Sequence, residues 1–227
     1  MENVRESQAD NTEPRLVEMK LRHLVLASSS PRRAEILRSV GWEFETKPVE
    51  IDETLSAGEA AVAYVERLAR EKAEAAMRLV PDGLVLGADT TVVVDKDVMG
   101  KPCDEADARQ MLGRLSGRWH TVLTGVALIT GGESYRCVVA HEATRVRFAS
   151  ISDDEISWYL STGEPMGKAG AYAIQGRAAL FIEKIEGDYW NVVGLPMRLV
   201  YNMTCEISRS LDSKQRGRKI SPPSKLS

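Results

Sequence analysis

Residues 24–37 read LVLASSSPRRAEIL, an apolar run that predicts a buried strand, followed by three serines, a proline and two arginines that open a helix. A strand feeding straight into a helix leaves the first helical N–H groups without partners, at the positive end of the helix dipole. Such a terminus is suited to phosphate. Ser28, Ser29 and Ser30 add hydroxyl donors. Pro31 fits the first helical position, and Arg32 and Arg33 bring forked donors that match phosphate oxygens. The segment lacks the glycines and GK[ST] ending of a Walker loop. Taken alone, it reads either as an anion site or as a serine-capped helix start with surface arginines.

The chain has 227 residues, formal net charge -3, 43% apolar and 28% charged residues, enough for one domain or two closely packed lobes. The mild acidity argues against a protein whose task is wrapping nucleic acid, so phosphate binding is expected to be local. Three cysteines, Cys103, Cys137 and Cys205, are widely spaced and odd in number, with no CxxC or Cys/His cluster. That pattern points to a reduced, cytoplasmic setting. No apolar segment has the length of a membrane span, and the polar, acidic N-terminus is unlike a signal peptide.

Strand-like and helix-like segments alternate, which predicts an α/β domain. Residues 1–20 are expected to form a disordered tail. In the domain at 21–209, the 31–40 helix precedes a second strand at 42–51 and a long helix at 57–80. GLVLGADTTVVVD supplies one or two strands, 104–117 a helix, and 118–148 a hairpin turning at 130–133. Ser152 and Glu155 form a capping box for a helix ending near Gly163. LFIEKIEGD is a further strand, and Pro196 starts a last helix running toward Ser208. The serine-rich, basic stretch 210–227 is expected to be disordered.

Two residues break the apolar patterning. In the 57–80 helix, Ala61, Val65, Leu68, Ala69, Ala76 and Leu79 share one face, and Lys72 lies in its middle. A lysine there must snorkel to water, pair with an acid or meet a ligand, because burying an unpaired ammonium is costly. Asp89 follows the apolar 84–86 run and precedes Thr90 and Thr91. At the C-terminal end of a strand it could hold a divalent ion, orient water, or simply form a turn. Lys101, in GKP, sits where a hairpin return would bring it back toward Asp89.

Together these stretches make the chain resemble the Maf family of nucleotide pyrophosphatases, in its dTTP/UTP-type branch. The resemblance spans about Leu24 to Pro196. It is carried by ASSSPRR, VEIDE, RLAREKA, LGADTTVVVD, GKP, LSGRWHTVLTGVAL, GEPMGKAGAYAIQG and NVVGLP. It implies a mixed central sheet flanked by helices, as two closely packed lobes with a cleft between them, in the manner of the ITPases.

The implied reaction is hydrolysis of dTTP and UTP, or of a modified pyrimidine nucleotide, to the monophosphate and pyrophosphate with Mg²⁺ or Mn²⁺. The resemblance further implies that Ser30, Arg33, Lys72 and Lys101 bind phosphates and that Glu53 and Asp89 hold the metal. Asp89 would be catalytic, as a base or chiefly as a metal ligand. Substrate specificity is expected at Arg32, Thr90 and Gln175. A homodimer and a house-cleaning role in nucleotide metabolism are implied in the same way.

The residues suit those roles. Phosphoryl chemistry needs charge neutralised, a water in line and a stabilised leaving group. The Gln175 amide offers both a donor and an acceptor, matching the carbonyl and N3–H edge of thymine or uracil. Discrimination between the two bases should be weak, since a methyl alters pocket binding by only ~1 to 3 kcal/mol. His120 is expected to be a hydrogen-bonded structural histidine, Trp190 to flank the pocket mouth beside Asn191, and Lys168 to be a further candidate near base or sugar. Another reading is a nucleotide-sensing protein that inhibits septum formation. Stable binding of nucleic acid or membrane is not expected.

Overall fold

The computed structural model describes residues 23–132 and 135–218. The expected N-terminal tail at 1–20 and residues 219–227 lie outside the described residues. The first strand, β1 (Leu24–Leu26), runs directly toward α1 (Pro31–Ser39). Then come β2 (Glu45–Thr46), α2 (Ala61–Met77), β3 (Leu84–Val94), β4 (Asp97–Met99), α3 (Glu105–Leu115), β5 (Trp119–Thr130), β6 (Arg136–Phe148), α4 (Asp153–Ser161), β7 (Ile182–Glu186), α5 (Tyr189–Val193) and α6 (Met197–Arg218). The sheet order is β2-β1-β3-β5-β6-β7, with β4 also on β3. Strand β1 is parallel to β2 and β3, and the other pairings are antiparallel. The expected mixed sheet flanked by helices is the observed one.

Alternation along the strands assigns the helices to faces. Leu24, Leu26, Leu84 and Leu86 pack with Ile36 and Leu37 of α1 and with Val200, Met203 and Ile207 of α6. Val25 and Val85 pack instead with Ala69, Ala73 and Ala76 of α2. A third cluster surrounds the far half of the sheet, where Val92, Val122, Val146 and Phe148 meet Leu112 of α3, Tyr159 of α4, Tyr172 and Phe181. The long strands β3 and β5 thread both halves.

Several boundaries differ from expectation, each for a local reason. The strand expected over 42–51 is only Glu45–Thr46, because Pro48 has no N–H to offer a ladder. Helix α2 is shorter than 57–80: Gly58 has φ +75° before it, and Pro81 disfavours helical backbone at the residue it follows. Leu79, placed on the apolar face by periodicity, therefore lies beyond the helix and is 62% exposed. The capping box of Ser152 and Glu155 is present. Pro196 immediately precedes α6, which continues well past Ser208. Residues 210–218, expected to be disordered, are thus helical.

Candidate active site

The cleft arises from a change of strand partner. Strand β1 pairs with β3 as far as Leu26↔Leu86, after which Ala27 N–H donates to the Leu86 carbonyl at 2.8 Å and the chain turns away into α1. Strand β4 takes up the same edge of β3 only at Val92, while β5 covers the opposite edge throughout. Residues 87–91 face the gap, and a cavity of about 310 Å³ opens there. It lies beyond the C-terminal end of a parallel strand, the usual ligand position in α/β sheets. Ser30, Arg32, Arg33, Glu53, Lys72, Asp89, Thr90, Lys101 and Gln175 all line it, as does Lys168.

Asp89 is on the α2 face of β3, as alternation from Val85 and Gly87 requires. The helix lies against two glycines: a Cβ on Gly87 would come within 2.2 Å of the Ala69 carbonyl oxygen, and one on Gly125 within 2.2 Å of that of Val65. Gly125 pairs directly with Asp89. This close approach brings Lys72, one helical turn beyond Ala69, to the carboxylate. Lys72 Nζ lies 2.6 Å from Asp89 Oδ1 and 2.6 Å from Glu53 Oε1. The misplaced lysine therefore pairs with two acids and does not snorkel. Lys101 Nζ is 3.5 Å from Glu53 Oε2. Partial burial raises the Glu53 carboxyl, but the hydrogen bond and charge of Lys72, joined by Lys101, outweigh it and hold the group below its ordinary value.

Two carboxylates directed at one cationic centre form a hard-oxygen donor pair, and a Mg²⁺-type ion commonly binds through one or two carboxylates, with substrate phosphates and water completing the shell. Among the described residues, no group of three or more His, Cys, Asp or Glu gathers as a metal cage.

Thr90 points to the other face, where Arg33 is fixed by three acceptors. Its Nε donates to the Gly194 carbonyl at 2.8 Å, Nη1 to Ser28 Oγ at 3.1 Å and Nη2 to Thr90 Oγ1 at 3.0 Å. Two of the five guanidinium N–H donors remain for a ligand. Burial lowers the Arg33 pKa while the Asp89 charge opposes that shift. The serine-capped reading of α1 is corrected in detail. Ser30 makes no side-chain cap, and Ser28 Oγ instead accepts from Ser30 N–H at 3.2 Å, leaving the Ser30 hydroxyl at the cavity wall.

The sequence reading missed the supports behind these groups. Tyr64 Oη donates to the Glu53 carbonyl at 2.8 Å, and Arg67 donates to the Thr54 carbonyl at 3.0 Å while gripping Glu59 through Nε and Nη2. Together they pin the loop that presents Glu53. Thr124 lies 2.9 Å from the Thr90 hydroxyl and donates to the Asn191 carbonyl at 3.3 Å. Threonine is an ordinary strand residue, so periodicity gave no sign of it.

His120 is structural as expected, 2.8 Å from Tyr172 Oη through Nε2, and burial pushes its pKa down to about 4. Trp190, expected at the pocket mouth, packs edge-on to Tyr189 at 5.4 Å and is not among the cavity-lining residues, which resume at Val192.

A family model described as Maf-like protein matches residues 23–207. The chain is 56% identical over 183 residues to the dTTP/UTP pyrophosphatase of Symbiobacterium thermophilum, covering 81% of this chain and 93% of that protein. It is 51% identical to the proteins of the same name from Hahella chejuensis, covering 78% and 88%, and Koribacter versatilis, covering 79% and 92%. Among solved structures, a nucleoside-triphosphatase / dITP/XTP pyrophosphatase from Mycobacterium abscessus aligns over 57% of this chain and 75% of that one, at TM-score 0.38 and 20% identity. The chain whose interrupted sheet edge places a buried lysine between two acids thus belongs to the Maf family.

Proposed function

We propose that the protein hydrolyses dTTP and UTP, or a modified pyrimidine triphosphate, between the α and β phosphates, releasing the monophosphate and pyrophosphate. The observation that carries this reading is the meeting, in one cavity, of the Lys72-bridged Glu53 and Asp89 carboxylates with Arg33, Lys101 and the Ser30 end of α1. The names of relatives 51–56% identical support it.

Arg33, Lys72 and Lys101 spread positive charge along a triphosphate. Each cation at ~4 Å contributes on the order of 4 kcal/mol of raw Coulomb attraction at an effective dielectric near 20, before desolvation, so several are needed. Ser30 and the N-terminus of α1 add donors to phosphate oxygens. Asp89, with Oδ1 on Lys72, keeps its second oxygen for a water. That water forms the new bond to the α phosphorus and passes a proton to the carboxylate; the bond to the bridging oxygen breaks, and its electron pair leaves with pyrophosphate. Glu53 and Asp89 are the residues that would hold Mg²⁺ or Mn²⁺, whose chemistry is further neutralisation of phosphate charge. Gln175 reads the pyrimidine edge, with Arg32 and Thr90 nearby as specificity residues.

The reading includes a cytoplasmic, house-cleaning homodimer that binds nucleotides and not nucleic acid. The free thiols of Cys103, Cys137 and Cys205 and the net charge of -3 support the location and the absence of nucleic acid. Among the described residues, no helix is long and apolar enough to cross a membrane. The test is pyrophosphate release from dTTP, UTP, CTP, ATP, GTP and methylated GTP with Mg²⁺ or Mn²⁺. Selective release from dTTP and UTP is expected; no release from any nucleotide by folded protein would overturn the reading.

A further inference from the structure

The 3-10 turn Arg177–Phe181 begins just after Gln175 and has no side-chain cap at Gly176. Its cap comes from elsewhere in the chain. The Glu164 carboxylate, in the turn after α4, accepts from Arg177 N–H at 3.1 Å and Ala178 N–H at 3.5 Å, and from Tyr159 Oη at 2.9 Å. It lies flat on Gly176, where an added Cβ would fall 2.2 Å from Glu164 Oε1. The Glu164 backbone carbonyl in turn accepts from Lys168 Nζ. One residue thus holds two cavity-lining segments, those of Lys168 and Gln175, to the fully buried Tyr159.

We propose that Glu164 is a positioning residue for base recognition: it fixes the backbone beside Gln175 so that the amide meets the pyrimidine edge in one geometry. The proposal rests on the reading of Gln175 given above. A charge-assisted bond from a carboxylate to backbone N–H groups is stronger than a neutral one. A glycine at 176 is what lets the carboxylate approach.

The test compares wild type with Glu164→Ala, Glu164→Gln and Tyr159→Phe, using dTTP and CTP as substrates and amide hydrogen exchange on the nucleotide-free protein. Glu164→Ala should raise KM for dTTP about tenfold with a much smaller change in kcat, and should erode the dTTP-over-CTP preference by a similar factor. Glu164→Gln, which keeps one acceptor, should recover part of the preference. Tyr159→Phe, which leaves the ring in place, should shift it less in the same direction. Exchange should accelerate at Arg177 and Ala178 first.

A KM and preference within twofold of wild type in both Glu164→Ala and Tyr159→Phe would overturn the proposal. So would a fall in kcat as large as the rise in KM, the same on every nucleotide, which would mark a purely structural role. If wild type turns over neither dTTP nor UTP, the functional reading fails on its own. The exchange data then still decide the clamp, since unchanged protection at 177 and 178 refutes it.

Discussion

The two walls of the cavity are built by different means. The wall to which we assign the phosphates has its charged centre on regular elements, with Arg33 on α1, Lys72 on α2 and Asp89 on β3, while Ser30, Glu53 and Lys101 reach it from the adjoining connections. Arg33 is locked by a buried hydrogen bond to the Gly194 carbonyl, and Lys72 and Asp89 by their buried ion pair. The wall to which we assign base recognition, carrying Lys168 and Gln175, is largely irregular chain, with Gly163, Gly167, Gly170 and Ala171 at positive φ, and is held from behind by Glu164, Tyr172 and His120. In the proposed function, chemistry that depends on placing charges to within a fraction of an ångström falls mainly to the rigid scaffold. The base reading we propose falls to a loop, where binding functions commonly reside.

Removing Lys72 should have the largest effect. Lys72→Met leaves Asp89, 8% exposed, and Glu53 facing each other without their shared cation, and loss of one partner of a buried pair typically costs about 3–5 kcal/mol. Urea denaturation should register that loss, together with a collapse of activity. Wild-type stability in this variant would mean that the charge wall is not held by its lysine.

The recognition half should instead carry a pH dependence of its own. Burial pushes His120 down to about 4 from 6.5, so the unfolded chain binds a proton between those values that the folded one does not. Stability is therefore complete above about 6.5 and is lost as pH falls toward 4, by up to about 3 kcal/mol. Chemical denaturation between pH 4.5 and 7.5 should show this slope, and His120→Gln should flatten most of it. Smaller still, Gln175→Ala should raise KM for dTTP about 10- to 100-fold while largely sparing kcat. An equal loss in kcat would blur the division between the walls.

The same contrast explains what could be read from the sequence. Lys72 and Asp89 were legible without any relative because each interrupts an apolar pattern, and an interrupted pattern needs a partner. The strand–serine–helix junction was legible because its donors have no local acceptors. Lys101, an ordinary lysine by sequence, became meaningful through the β3–β4 turn. Gln175 and Glu53 were identified through family resemblance, since polar residues in irregular chain have no period to violate; Arg32 was legible as a donor at the start of α1, and only its specificity role came from the resemblance. The supports behind them, Arg67, Thr124 and Glu164, were invisible because each acts across a distance that only the fold sets: Glu164 reaches Arg177 thirteen residues on. The helical continuation of α6 to Arg218 was missed because composition alone decided the expectation of disorder there.

The division of labour between the walls is tested most directly with Asp89→Asn, measuring dTTP affinity by calorimetry and pyrophosphate release in a single turnover. Asparagine keeps the shape and one acceptor for Lys72 but cannot take a proton from water. Binding should stay within several-fold of wild type, while release slows by about 10²- to 10⁴-fold. Release at the wild-type rate, or affinity lost in step with rate, would contradict the assignment of Asp89 to the chemistry.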